Sequence, residues 1–225
     1  MREKERKKNM KRWVSLVLCC VLMAGCFVTS ASAAKVKVGQ SVFLGHYEQD
    51  NNLSNGEERI EWVVLDVDGD YALVISKYCL DAAQFNGSQC SVTWETSDLR
   101  DWLNDDFLYD AFSATERKAI LYTELRTGKS AYGNRSGGND TLDRVWCLSI
   151  DEANTYFGSN EERKASLTKY AASRTPYAWW WLRSPGGESD AAKAIINANG
   201  QVITGGNWVD NNDAVRPCMW VDLNA

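Results

Sequence analysis

The stretch Ala178–Asp222, AWWWLRSPGGESDAAKAIINANGQVITGGNWVDNNDAVRPCMWVD, contains the pattern that decides the fold. The motif WWWLRSPG stands near its start and VRPCMW near its end. Four runs within or overlapping it have the aromatic and β-branched content of strands: Trp179–Arg183, Ala192–Asn197, Gln201–Thr204 and Val215–Leu223. The second and third runs flank Asn199 and Gly200, a pair that favours a tight hairpin turn. The C-terminal part of the chain is therefore predicted to be β-rich.

The first third of the sequence predicts an antiparallel hairpin. Lys35–Tyr47 alternates loosely as a strand, and two β-rich runs follow at Ile60–Val67 and Tyr71–Ser76. The Asp-Gly-Asp at residues 68–70 joins these two runs. Because an Asp-Gly pair adopts the backbone of a tight turn easily, this segment is a strong hairpin signal.

The middle of the chain predicts helices. Their starts are marked by N-cap residues or capping boxes at Ser97 or Asp98, at Ser113-x-x-Glu116 and at Ser149-x-x-Glu152. The second helix is predicted to run to about Tyr122, and residues 144–148 are predicted to form a short strand. Strands first, helices in the middle and strands last predict an α+β fold. We expect one domain over residues 35–225, in which an antiparallel sheet pairs N- and C-terminal strands.

Residues 1–33 have the three parts of a signal peptide. Arg2–Arg12 carries seven Lys or Arg against two Glu, Trp13–Val28 is apolar, and an Ala-Ser-Ala site ends at Ala33. A glycine interrupts the apolar run, which favours cleavage near Ala33 over a lasting membrane span. Cys26 follows small residues and leaves a lipoprotein signal open as a second interpretation. Either signal predicts an exported protein, extracellular or on the cell surface.

The charge of the chain argues against two classes of partner. The sequence has 25 Lys or Arg and 30 Asp or Glu; removing the leader's seven and two leaves 18 and 28, a net charge of −10. Nucleic acids and anionic lipids are bound mainly by Lys and Arg that neutralise phosphates. Neither is therefore expected as a partner.

The residues available for catalysis are few. His46 is the only histidine, so Ser or Cys triads have little to be built from, and metal sites with two or three histidines are excluded. Four cysteines follow the leader and allow two disulfides. Cys147 and Cys218 stand in apolar surroundings, where a buried apolar role is favoured. Cys79 and Cys90 are the pair close enough in sequence to bridge a loop.

Carboxylates are plentiful, so a hydrolase with paired Asp or Glu stays open, although no pair stands out by its spacing. Three oxygen-rich loops are considered as calcium sites. Residues 66–70 resemble the start of an EF-hand loop but reach Lys77 where a Glu is required, and the loop from Asp50 to Glu61 lacks the glycine. Residues 210–213 form a third such turn. Turns are the favoured interpretation; no cofactor is predicted, and calcium is left open.

Nine tryptophans follow the leader, the tenth being Trp13. Aromatic faces bury large areas and stack on sugar rings or peptides. Alternation on a strand sends Trp180 to the face opposite its neighbours. Arg183 and Arg216 lie near prolines, where a guanidinium can hold loop carbonyls or a carboxylate. The candidate ligand-binding residues are Trp180, Arg183, Trp208, Asp210, Asp213 and Arg216, with no catalytic residue and no metal ligand assigned.

The segments Trp180–Gly186 and Val215–Pro217 resemble the signature of a family of uncharacterised domains from exported Gram-positive, largely clostridial, proteins. That signature is WWLRSPG followed by VRPAL; here Cys218 and Met219 replace the final Ala-Leu. Ile60–Asp66 also resembles the family. The resemblance implies a domain of unknown function.

The terminal pattern of that family is in turn similar to C-type-lectin-like and formylglycine-generating-enzyme-like folds, in which N- and C-terminal strands pair. The active-site cysteine pair of formylglycine-generating enzymes has no counterpart here. The Glu-Pro-Asn and Trp-Asn-Asp calcium motifs of sugar-binding lectins are also absent from the sequence. The similarity therefore implies a fold and not an activity.

Export, acidity and tryptophan content favour a non-enzymatic binding module for a glycan, a peptide or a surface protein. The alternatives are an Asp/Glu-dependent hydrolase of cell-wall or dietary polysaccharide and a purely structural or assembly domain. A binding site is expected in the loops 127–140, 186–190 and 207–213, with the tryptophan run as their scaffold.

Overall fold

The computed structural model describes residues 36–130, 134–187 and 191–225. The predicted signal peptide, including Cys26, lies outside the described residues. The strands are β1 (Ser41–Tyr47), β2 (Glu58–Asp68), β3 (Tyr71–Ser76), β4 (Asp81–Gln84), β5 (Thr123–Leu125), β6 (Thr141–Asp143), β7 (Trp180–Pro185), β8 (Ala192–Ile196), β9 (Val202–Trp208), β10 (Asn212–Val215) and β11 (Cys218–Asp222). The helices are α1 (Asp98–Asn104), α2 (Asp106–Ala111), α3 (Glu116–Ala119), α4 (Ile150–Tyr156), α5 (Asn160–Arg163) and α6 (Lys169–Arg174).

The first sheet takes strands from both ends of the chain. Its order is β1-β2-β3-β11, and every pairing is antiparallel. The predicted β2–β3 hairpin is confirmed: Asp68 pairs with Tyr71 across a two-residue turn in which Gly69 has φ +61°. The C-terminal strand adds to β3, with Met219 opposite Val74. The prediction that N- and C-terminal strands share one antiparallel sheet is therefore confirmed.

A second sheet of five strands has the order β4-β10-β7-β8-β9. The Asn199-Gly200 hairpin joins β8 and β9 as predicted. A glycine is required at position 200 for two reasons. Its φ is +76°, and a Cβ there would lie 1.7 Å from the carbonyl oxygen of Asn160. One pairing, β10 with β7, is parallel. The sequence indicated β7, β8 and β9 but not β4 or β10, and the single strand predicted over Val215–Leu223 is wrong, because β10 ends at Val215 and β11 begins at Cys218.

The described helices are short, so the chain is mostly β. Ser97 caps α1 through its hydroxyl, and the predicted capping box at Ser149 and Glu152 opens α4 with both of its hydrogen bonds. The helix predicted to reach Tyr122 is wrong in its extent, since α3 ends at Ala119. Ile120 already forms a bridge to the first sheet. None of the described helices is long and apolar enough to cross a membrane.

Two further predictions need correction. Residues 144–148 form no strand; they contribute one isolated bridge, between Trp146 and Cys218. The first strand starts at Ser41 rather than near Lys35, because residues 37–40 turn, with the Gln40 amide donating to the Lys37 carbonyl. Each segment makes only one pair of backbone hydrogen bonds to a strand, residues 39 and 40 to Val64 and Trp146 to Cys218, and does not continue it as a ladder.

The tryptophan run closes the core on both faces of β7. Trp180 and Trp181 are fully buried, and the Trp181 indole packs on Phe85 with ring centroids 5.6 Å apart. Trp179, just before the strand, is 37% exposed. Neither strand face is thus an open aromatic platform, as expected of a scaffold.

The four cysteines within the described residues are free thiols. Cys79, Cys147 and Cys218 are buried and Cys90 is exposed. The suggested Cys79–Cys90 bridge is therefore wrong, because one thiol lies in the core and the other on the surface. Burial raises the pKa of Cys79 and of Cys147 to about 12, so both stay protonated and behave as small apolar residues.

Candidate binding groove

A groove of about 410 Å³ opens between β5, the start of α4 and the strands β3, β7 and β11. Its volume falls in the range of small-molecule sites. We call it the groove. It is lined by Leu73, Thr123, Glu124, Leu125, Arg126, Trp146, Ser149, Asp151, Glu152, Tyr156, Arg183 and Trp220.

The floor of the groove contains an ion pair. Arg183 on β7 is 2% exposed, and its Nη2 donates to Glu152 Oε1 at 2.7 Å while Nη1 donates to Oε2. Nη1 also donates to the carbonyl of Cys147 at 3.1 Å, and Nη2 to that of Arg126 at 3.4 Å. A two-pronged contact of this kind fixes both side chains. The buried guanidinium is thereby charge-compensated and held rigid.

The first turn of α4 positions the carboxylate of this pair. The Ser149 hydroxyl accepts from the Glu152 amide, and Glu152 Oε2 accepts from the Ser149 amide at 2.8 Å. The neighbouring Ile150 amide donates to the hydroxyl of Ser184, the residue after Arg183 on β7. Helix and strand are thus locked together at the residues that form the ion pair.

Two donors in the groove lining lack acceptors. Within the described residues, Trp146 Nε1 and Arg183 Nε are buried and have no hydrogen-bond partner. A buried donor left unpaired costs about 1–3 kcal/mol, so such atoms normally bind water or a ligand. Thr127 Oγ1 and Trp180 Nε1 are also unpartnered but belong to residues outside the lining. Two side chains that each carry an unsatisfied, buried N–H group therefore line one groove.

Aromatic rings form part of the groove wall. Tyr156 and Trp220 are half-buried, and Trp146 is held by reciprocal backbone hydrogen bonds to Cys218 of 3.0 and 2.8 Å. Burial, and then the Glu152 carboxylate, raise the pKa of the Tyr156 phenol. Its hydroxyl therefore stays protonated at neutral pH, as a donor and acceptor.

The rim of the groove is charged. Glu124, Arg126 and Asp151 are exposed. Since Arg183 and Glu152 compensate each other, the rim leaves two carboxylates against one guanidinium. The groove as a whole is weakly acidic.

The structure separates the six residues predicted to bind a ligand. Only Arg183 lines the groove. Trp180 and Arg216 lie together in the core, 0% and 4% exposed, with the guanidinium 5.2 Å from the Trp180 ring and 5.4 Å from that of Phe157. Arg216 donates to the carbonyls of Ser76 and Arg163. Burial lowers its pKa to about 10.

The other three predicted residues form part of a turn. Asp213 is 3% exposed and accepts from the Asn207 side chain at 2.7 Å. The same Asn207 side chain accepts from the amide of Trp208, a residue that is 44% exposed. Asp210 is half-buried, and its carbonyl accepts from Gln84 at 2.6 Å. Burial raises the pKa of Asp213 to about 6.

Sequence reasoning missed most of the groove. Glu152 was recognised for its capping box only, and Trp146 and Trp220 only as members of the tryptophan set. Nothing local links them, because the Trp146–Cys218 bridge and the Arg183–Glu152 pair join residues far apart in sequence. The available signals were Glu152 in a capping box and Arg183 near a proline. A carboxylate and a guanidinium can form a bidentate pair, but neither signal indicates that these two residues meet.

A second cavity of about 350 Å³ lies beside the loop at residues 134–136, where sequence reasoning expected a site. Its two basic residues are engaged: Arg135 donates to the Gly187 carbonyl, and Lys193 stands 5.5 Å from the Phe85 ring centre. The expected segment 186–190 falls partly outside the described residues.

Among the described residues, one acidic cluster bears on calcium, which the sequence left open. Carboxylate oxygens of Glu48, Asp50 and Glu58 lie within 4.8 Å of one another. They already accept hydrogen bonds from the loop: Glu58 from the Gln49 amide at 2.7 Å, and Glu48 from the Asn52 amide at 3.0 Å. These contacts close the loop, and calcium stays open as it was from the sequence.

Residues 69–223 match a family model described as a domain of unknown function (DUF6273). Every residue that lines the groove falls inside this segment. No curated protein and no solved structure matches the chain.

Proposed function

The chain belongs to the DUF6273 family of domains of unknown function, and since that description names no activity, we propose a function from the groove: a non-enzymatic binding module, exported or held on the cell surface. The observation that carries the proposal is the pair of buried, unpartnered donors in the groove, Trp146 Nε1 and Arg183 Nε. A bound ligand with acceptor oxygens would satisfy both. The half-buried rings of Tyr156 and Trp220 supply apolar contact beside them.

Export is part of this proposal and rests on the leader sequence. N-terminal sequencing of the protein recovered from culture medium should give Ala34 as the first residue. A lipid-modified Cys26 in the membrane fraction would instead favour a lipoprotein. Unprocessed protein inside the cell would contradict export.

A C-type-lectin-like architecture is the finer form of the fold proposal. It is supported by the addition of the C-terminal strand to the N-terminal hairpin, in the register that places Met219 opposite Val74. An experimental structure searched against known lectin-like domains is the test.

A hydrolase is the second candidate, and one observation favours it: Glu124, Asp151 and Glu152 line the same groove. However, Glu152 is engaged on both oxygens, by Arg183 and by the Ser149 amide. A general acid or nucleophile needs a free carboxyl oxygen. Reducing-sugar release from polysaccharides, abolished in Glu124→Gln or Asp151→Asn, would establish the hydrolase and overturn a purely binding role.

The binding proposal is tested by hydrogen exchange on the processed protein with glycan and peptide mixtures. We expect protection of amides in β5 and in the first turn of α4, which border the groove. The control segment is the turn at residues 207–213, which should not change. Protection of that turn instead would favour Trp208, Asp210 and Asp213 as the site and contradict the groove.

A further inference from the structure

We infer that the groove binds a neutral oligosaccharide; this inference rests on the proposed binding function and names its ligand class. Three features of the groove support it: the kind of polar groups it presents, its aromatic wall and its charge.

The polar groups call for a ligand that both donates and accepts. Trp146 Nε1 and Arg183 Nε need acceptors, whereas the exposed carboxylates of Glu124 and Asp151 only accept. A hydroxyl group offers one donor and two acceptor sites, so adjacent hydroxyls of one sugar ring can serve both kinds of partner. A ligand bearing acceptors alone would leave the rim carboxylates dehydrated without compensation.

The wall of the groove suits a ring with an apolar face. Tyr156 and Trp220 are half-buried and line the same groove as the two donor side chains, so part of each ring remains accessible. The electron-rich face of an aromatic ring attracts the slightly positive C–H groups on one face of a pyranose. A sugar can therefore contact the wall with its C–H face while its hydroxyl edge meets the polar atoms.

The charge of the groove disfavours anionic ligands. The one buried cation, Arg183, already has a bidentate partner in Glu152. The remaining charges are the carboxylates of Glu124 and Asp151 against Arg126, whose side chain is 83% exposed. An acidic glycan, a phosphate or a carboxylate would meet net repulsion, and the excess of acidic residues over the processed chain adds to it.

A peptide fits these features less well. Peptides that bind in extended form pair with the backbone of a free strand edge. The unsatisfied donors here are side-chain groups, an indole and a guanidinium N–H, and not backbone amides. They match scattered oxygen atoms better than a ladder of alternating amides and carbonyls.

The test is calorimetry on the processed protein with neutral tetra- to hexasaccharides of glucose, xylose and N-acetylglucosamine. Oligogalacturonate and a mixed peptide pool serve as comparators. Trp146→Phe removes the indole N–H and should weaken binding of the neutral sugar about tenfold, the effect of one lost hydrogen bond. The matched variant is Trp180→Phe, which removes an equally buried and unpartnered indole N–H outside the groove lining. It should leave the affinity within twofold of the parent, a margin of about 0.4 kcal/mol.

The outcomes separate the ligand class from the groove. Preference for oligogalacturonate or peptide, still weakened by Trp146→Phe, would overturn the neutral sugar and keep the groove. Equal effects of Trp146→Phe and Trp180→Phe, or no binding of any probe, would overturn both. If Trp146→Phe does not fold, Glu124→Gln on the exposed rim replaces it. That change exchanges a charge-assisted hydrogen bond for a neutral one and should weaken sugar binding about threefold; an unchanged affinity would count against the inference.

Discussion

Arg183 and Arg216 are both buried guanidinium groups, but their surroundings compensate the charge in opposite ways. Arg183 has a bidentate carboxylate partner in Glu152 and keeps one N–H without an acceptor. Arg216 has two carbonyl acceptors and two aromatic rings, and none of its nitrogens is buried and unpartnered among the described residues. Burial alone therefore does not mark a site. The distinguishing feature is a rigid, compensated charge that still has an unused donor.

The largest effect is expected from removing the compensated cation. Arg183→Leu leaves Glu152 without its counter-charge and the carbonyls of Cys147 and Arg126 without their donor. The loss in free energy of unfolding should reach the lower part of the range of about 3–5 kcal/mol seen for broken buried pairs, because the Glu152 side chain is 27% exposed and partly solvated. Urea denaturation followed by tryptophan fluorescence measures it.

The control for this change is the double variant Arg183→Leu with Glu152→Gln. It removes the stranded carboxylate and should recover part of the lost stability. A single variant that loses less than about 1 kcal/mol, below the range for a broken buried pair, would show that the pair does not hold the groove floor.

The second prediction extends the contrast to carboxylates, since Asp213 is buried with an amide partner and Glu152 with a cation. Burial raises the pKa of Asp213 from 3.8 to about 6, so the folded state disfavours the ionised form. This cost is fully present above pH 6 and disappears as the pH falls below 4. A shift of about two units corresponds to about 3 kcal/mol. Asp213→Asn, which keeps the acceptor for Asn207, should therefore be more stable than the parent at pH 7 by up to this amount.

Unfolding curves of parent and Asp213→Asn from pH 4 to pH 8 provide the measurement. The difference should shrink toward zero at the acid end. A difference that does not change with pH would mean that Asp213 titrates normally in the folded protein.

The smallest effect is expected at Arg216, the cation without a carboxylate partner. Arg216→Met removes a guanidinium whose pKa burial lowers to about 10, so the charge itself is unfavourable in the fold. The gain from removing it offsets much of the loss of the hydrogen bonds to Ser76 and Arg163. The net loss should be about 1 kcal/mol. A loss equal to that of Arg183→Leu, measured in the same urea series, would remove the distinction between the two arginines.

The sequence predicts the features that depend on residues adjacent in the chain, namely turns and helix caps. The turns at Gly69 and Gly200 and the capping box of Ser149 and Glu152 are local signals, and all three are confirmed. Hairpins and caps are readable because two to five adjacent residues supply the whole interaction.

The groove depends on contacts that no local pattern contains. Arg183 could be selected as a candidate, but its pairing with Glu152 requires knowing that α4 docks on β7. Trp180 was selected by the same tryptophan run and lies in the core instead. Burial and partner are tertiary properties, so an unusual residue type alone cannot separate a site from a scaffold.

The addition of the last strand to β3 also has a kinetic consequence. Val74 and Met219 are paired although most of the chain lies between them in sequence, so their pairing closes a very long loop. Such a closure is entropically costly and slows folding. Until Cys218–Asp222 is available, β3 keeps an unpaired edge and Ile120 lacks its bridge partner. The first sheet can therefore be completed only after Cys218–Asp222 has been synthesised, and we expect the sheet to remain unfolded until then.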